Sequence, residues 1–191
     1  MVGMMSGSET QRKRIHPHKF TLWVGLGSII MMFAGLTSAY IVKSNQPKWI
    51  TFQMPAVFWY STGILLFSSL TMQMALKNFK ERNILKYRRL LTATLVLGAL
   101  FIAVQCFGFH QIWKSGITLS GAGAAPFMYV IFGLHGIHVI GGVVVLLVMM
   151  IKAFSTRRRN YNPVPVEMVS TYWHFVDILW VYLFIFFLSI Q

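Results

Sequence analysis

The chain has 191 residues, 56% of them hydrophobic, with 17 Lys and Arg against 4 Asp and Glu, for a formal charge of +13. Only 11% of its residues are charged, where a soluble domain carries about 25%. Its apolar runs are too long for a soluble core, so the positive charge reads as a membrane-topology signal. A nucleic-acid surface would instead gather it on one amphipathic face. The lone Cys106 excludes an internal disulfide and leaves no Cys pair for zinc or an iron–sulfur cluster.

Residues 1–19 form a basic tail, expected to be cytoplasmic and disordered at its start. Runs of about 20 apolar residues cross a bilayer. Five follow, at 20–42, 54–76, 89–113, 126–151 and 170–190, so residues 20–191 are expected to form an all-α polytopic membrane bundle. Fourteen of the seventeen Lys and Arg fall in the tail and in the loops after runs two and four; only Lys43, Lys48 and Lys114 lie on the other side. The positive-inside rule then puts the N-terminus inside and the C-terminus outside. A signal peptide is the competing reading of run one. The run is too long for it, no small-residue cleavage site follows, and Lys43-Ser44-Asn45 closes it like a stop signal. "SGAGAAP" at 120–126 reads as a flexible connection, with no Lys-Ser/Thr after it to make a phosphate loop. Asn162-Pro163-Val164-Pro165 is expected to be stiff and non-helical.

Helices in lipid associate through close backbone approach and hydrogen bonds. Candidate faces are Gly25, Ser28, Met32, Gly35 and Ala39 in run one, and Ser61, Thr62, Ser68 and Ser69 in run two. Run three offers Thr94, Gly98, Phe101, Gln105 and Gly108, and run four Gly133, Gly136, Gly141 and Gly142. These serve mutual packing, or one of them docks a second protein. Gln105 needs a polar partner at that depth.

Ionisable groups inside a membrane cost roughly 2.5–3.5 kcal/mol and are functional candidates by default. Four lie well inside the runs: His135, His138, His174 and Asp177; His110 sits near an end. His is a common metal ligand, and His135 and His138 share one helical face. Depth argues against one joint site. Counted from the inner ends of the runs, His135 lies about 24 Å deep and His174 about 6 Å, an expected gap near 18 Å. His138 and Asp177 come out about 9 Å apart. Two local sites are expected instead. His174 and Asp177 stand at i and i+3, where side chains can meet and lower each other's burial cost. His135 and His138 can bond backbone, each other or Gln105. Structural hydrogen bonding, a proton-linked role and metal or haem ligation all stay open at this point.

The stretches "FGLHGIHVIGG" (132–142) and "STYWHFVDILW" (170–180) resemble subunit III of the haem-copper oxidases. So do "STGILLFSSLT" (61–71), "MMFAGLTSAY" (31–40) and Glu167 ahead of run five. The resemblance implies a five-helix bacterial form lacking the first two of seven helices, in the cell (inner) membrane. It implies a non-catalytic subunit with no haem or copper of its own. Such a chain packs against catalytic subunit I, with subunit II in the same complex. Subunit I holds the haem and copper, reduces oxygen and pumps protons. The family holds phospholipid in a cleft, supports proton uptake and guards against turnover inactivation. Gln105, His135, His138, Glu167, Trp173, His174 and Asp177 are the residues expected to form its polar joint or line its lipid cleft. Two family carboxylates are missing, at Ile29 and Gly108, which favours a scaffold and lipid role over a proton antenna. Alternatives are the equivalent subunit of a quinol oxidase or nitric oxide reductase, or a small haem-binding or transport protein. The last would need paired broken helices or a repeat, and neither is visible.

Overall fold

A computed structural model describes residues 17–44, 56–114, 125–155 and 163–190. It contains five helices, α1 (Pro17–Ser44), α2 (Val57–Lys80), α3 (Ile84–Lys114), α4 (Ala125–Phe154) and α5 (Val164–Ser189). No strand occurs among the described residues. The tail at 1–16 and the connection at 115–124 lie outside them. Four helices, α1, α3, α4 and α5, are long and apolar enough to cross a membrane. α2 is the more polar one, because Ser61, Thr62, Ser68, Ser69 and Thr71 interrupt its apolar residues.

α2, α3, α4 and α5 pack as a ring in that order, and α1 packs on the outside of α4 and α5. Sequence neighbours α2 and α3 form a hairpin closed by a Schellman motif. The Asn83 N–H donates to the Asn78 carbonyl (2.9 Å) and the Arg82 N–H to the Phe79 carbonyl (3.1 Å). Arg82 occupies the left-handed position at φ 60°, where glycine is usual.

α5 starts six residues before its apolar run. The expected break at Pro163 and Pro165 is instead the helix's first turn, where a missing N–H costs nothing and the fixed φ is pre-organised. The Glu167 N–H donates to the Pro163 carbonyl at 2.9 Å, an early bond of that helix.

The expected faces fared unequally. In α3, Thr94, Gly98, Phe101, Gln105 and Gly108 are all buried, as their spacing predicts. In α1 the reverse holds: Ser28, Gly35 and Ala39 are exposed, and Leu26, Phe33, Thr37 and Tyr40 face inward. Large side chains hold α1, so its backbone never comes close enough for glycine to matter; nothing lies within 4 Å of an added Cβ at Gly25 or Gly35. In α4 only Gly142 is tightly packed by its neighbours.

Candidate functional site

The polar side chains converge on a seam between α2 and α5. Trp173 and Trp180 stand seven residues apart on α5, and Ser61/Thr62 and Ser68/Ser69 repeat at seven on α2. The antiparallel helices match these repeats. Trp173 Nε1–H donates to Ser68 Oγ (3.1 Å) and Trp180 Nε1–H to Thr62 Oγ1 (3.0 Å). One residue along, His174 Nδ1 and Ser69 Oγ share a hydrogen bond of 2.7 Å.

Each bond joins an indole or imidazole to a hydroxyl on another helix. In a low-dielectric interior such pairing removes the cost of burying both groups. The same α2 face reaches α3. Gln105 Nε2–H donates to Ser61 Oγ (3.2 Å), and the Thr71 and Thr94 hydroxyls pair at 2.9 Å.

The Trp173 indole is the tightest joint. It lies between Gly98 of α3 and Gly142 of α4, where an added Cβ would stand 2.7 Å and 3.0 Å from its ring. Any side chain at either position would collide with an aromatic plate that the Ser68 bond holds in place.

His174 and Asp177 form no ion pair or hydrogen bond with each other, contrary to the i, i+3 expectation. His174 turns to α2. Both Asp177 oxygens are buried without a hydrogen-bond partner among the described residues.

His135 bonds none of its expected partners. Both ring nitrogens are buried without a hydrogen-bond partner among the described residues, inside an aromatic cage of Phe33, Phe101 and Trp180, with ring centroids 6.5, 6.4 and 5.2 Å away. His138 bonds backbone, its Nδ1 lying 2.7 Å from the Leu134 carbonyl, and its own carbonyl accepts from the Tyr172 hydroxyl at 3.0 Å. His110 is exposed.

The expected depth gap is corrected. The His135 ring is level with Trp180, and six residues along α5 from Trp180 to His174 is about 9 Å, half the earlier figure. The ends of the apolar runs are not level, because α5 extends back to Val164 and α4 forward to Phe154. Among the described residues no three His, Cys, Asp or Glu side chains gather where one ion could bind them.

At the basic end, Glu167 receives two ammonium groups, Lys19 Nζ of α1 and Lys80 Nζ of α2, each at 2.9 Å. One carboxylate thus ties three helices together. α1 is tied again toward the other end of the bundle by a 3.1 Å bond between the Thr37 and Tyr182 hydroxyls. Between the two ties, Thr21, Gly25, Leu26, Ile29, Met168 and Tyr172 help to line an open groove of about 380 Å³ between α1 and α5. The two positions at which the resemblance leads one to expect a carboxylate, Ile29 and Gly108, have these surroundings. Ile29 lines this groove. At Gly108 an added Cβ would lie 3.3 Å from the Phe58 ring, so that ring occupies the space a carboxylate would need.

Residues 19–190 match the family model for cytochrome c oxidase subunit III. The chain belongs to the cytochrome c oxidase subunit III family. Among its relatives, the probable cytochrome c oxidase subunit 3 of Nocardia farcinica is 31% identical over 96% of this chain and 95% of its own length. The cytochrome c oxidase subunit 3 of Bacillus sp. PS3 is 31% identical over 85% of this chain and 80% of its own. The cytochrome bo(3) ubiquinol oxidase subunit 3 of Buchnera aphidicola is 28% identical over 86% and 87%. As a subunit III chain, the protein is an integral membrane protein and an accessory part of a terminal oxidase.

Sequence reasoning had set out Ser69 only as a packing residue and had not connected Lys19, Lys80, Tyr172 or Tyr182 to the site. The matched seven-residue repeats of hydroxyl and tryptophan were the signal that could have paired α2 with α5.

Proposed function

We propose that this subunit III is non-catalytic and acts as a scaffold beside a catalytic subunit I, with subunit II in the same complex. Haem and copper belong to those partners, and phospholipid is held at this chain's surface. All five helices cross a bacterial cell (inner) membrane, with the N-terminus inside and the C-terminus outside. The family match over residues 19–190 carries the reading. Its support from geometry is that Ser61, Thr62, Ser68, Ser69, Trp173, His174 and Trp180 are committed to joints between helices. α2 has 24 residues, about 36 Å at 1.5 Å each, enough to span with its hydroxyls turned inward. The orientation rests on the gathering of Lys19, Lys80, Arg88 and Lys152 at one end of the helices.

The donor to the complex is cytochrome c in this reading; the Buchnera relative, a ubiquinol oxidase subunit, favours a quinol-fed complex as the second. Mild detergent extraction, identification of co-migrating subunits and an optical spectrum test the proposal. A haem- and copper-containing partner is the expected result, and reduction by cytochrome c or by quinol separates the two readings. Stoichiometric iron or copper on this chain purified alone would overturn both.

A further inference from the structure

Of the buried side-chain atoms without a hydrogen-bond partner among the described residues, three belong to one layer of the bundle. They are Gln105 Oε1 on α3 and both ring nitrogens of His135 on α4. The two residues are 9% and 1% exposed.

Contacts on either side fix the layer. One turn beyond Gln105, Phe109 packs against Phe132, which stands one turn before His135; the ring centroids are 5.8 Å apart. Two turns the other way, a Cβ added at Gly98 would lie 3.2 Å from Val143 Cγ2. These contacts run antiparallel and bring Gln105 and His135 opposite each other between them. Phe101, one turn from Gln105 on the same buried face of α3, meets the His135 ring edge-on at 6.4 Å. Trp180 closes the layer from α5, its ring centroid 5.2 Å from that of His135 and its N–H on Thr62 of α2.

The Gln105 amide is oriented by its partner. The Ser61 hydroxyl donates to the Phe58 carbonyl at 2.9 Å, so toward Gln105 its oxygen can only accept. It accepts from Gln105 Nε2–H at 3.2 Å, which leaves Oε1 as an acceptor in need of a donor. A neutral imidazole always carries one N–H donor. The amide and the imidazole face each other across the layer without a direct bond. Bulk solvent does not reach groups at this depth in a bilayer. Water is the small molecule that accepts from one such group and donates to the other, and a single water bridges polar groups just beyond direct reach.

We infer that one buried water is bound between Gln105 and His135, accepting from a His135 ring N–H and donating to Gln105 Oε1. It extends the chain from the Phe58 carbonyl through Ser61 and Gln105 to His135, so that α2, α3 and α4 are joined at one level. The site requires neither lipid nor a partner subunit.

The test is a cryo-EM map, at a resolution that shows waters, of the complex that co-purifies with the full chain in mild detergent. A peak within about 2.5–3.2 Å of both Gln105 Oε1 and one His135 nitrogen is the expected result. No peak, or a direct bond between amide and imidazole, overturns the inference. In the Gln105→Leu complex the peak should vanish, whereas Ser28→Ala on the exposed side of α1 should keep it; a peak that survives Gln105→Leu overturns the bridge. Gln105→Leu and His135→Leu also form a double-mutant cycle in SDS titration of the purified full-length chain. A shared water makes their effects on the unfolding constant non-additive by about fivefold, and additive effects overturn it. Should the substituted chains fail to assemble, the wild-type map decides alone.

Discussion

Gly98→Ala is the sharpest test of the packing around Trp173. The new Cβ would lie 2.7 Å from the indole Cη2, 3.0 Å from Cζ2 and 3.2 Å from Val143 Cγ2. The indole has little room to retreat, since the α4 backbone lies so close on its other side that a Cβ added at Gly142 would stand 3.0 Å from Cε3 and Cζ3, and Ser68 holds its nitrogen at 3.1 Å. Overpacking a filled core costs about 1–3 kcal/mol, while replacing glycine by alanine inside a helix recovers about 0.5–1 kcal/mol. Taking the middle of each range, the expected net loss is about 1.3 kcal/mol. Reversible SDS titration of the purified protein, followed by circular dichroism, reads it. Trp173→Phe provides the control, because phenylalanine lacks the atoms that collide. In that background Gly98→Ala should lose at least about 1 kcal/mol less, a coupling typical of residues in contact. A neutral Gly98→Ala, or the same loss in both backgrounds, would refute the close approach of α3 to α5.

Four other substitutions test the remaining joints. Glu167→Gln breaks both lysine pairs, but those lysine side chains are 40% and 53% exposed; the loss should be only about 0.5–1 kcal/mol and should shrink at high salt. A salt-independent fall in the melting midpoint would contradict that. Asp177→Asn keeps the shape of a buried carboxyl that has no hydrogen-bond partner among the described residues and removes its capacity to ionise there, so the melting midpoint should stay or rise; a fall of several degrees would reveal a partner the geometry does not show. Ser69→Ala strands the His174 ring nitrogen and should cost about 1–2 kcal/mol in the same SDS titration, whereas no change would mean that bond is not formed. Arg82→Gly relieves the left-handed residue of the α2–α3 turn and should stabilise by roughly 0.5–1 kcal/mol; destabilisation would refute the Schellman geometry.

The number of helices, their order and the buried face of α3 were legible in the amino-acid sequence. A run of apolar residues must form its hydrogen bonds internally wherever it lies in lipid, so length and composition suffice. Family membership was legible for a related reason, since short motifs on consecutive helices keep their order.

Which polar group meets which was decided only by tertiary structure. A hydrogen bond between helices depends on their relative rotation and axial register, and neither is encoded within a single helix. A three-residue spacing brought His174 and Asp177 to neighbouring turns, yet Ser69, 105 residues away from His174 in sequence, took the imidazole. The same unknown register doubled the expected depth gap between His135 and His174 and left the aromatic cage of His135 unforeseen. The small residues of α1 show it most plainly: their spacing marked a stripe, but only the placement of α4 and α5 decided that Phe33 and Tyr40 would face inward instead.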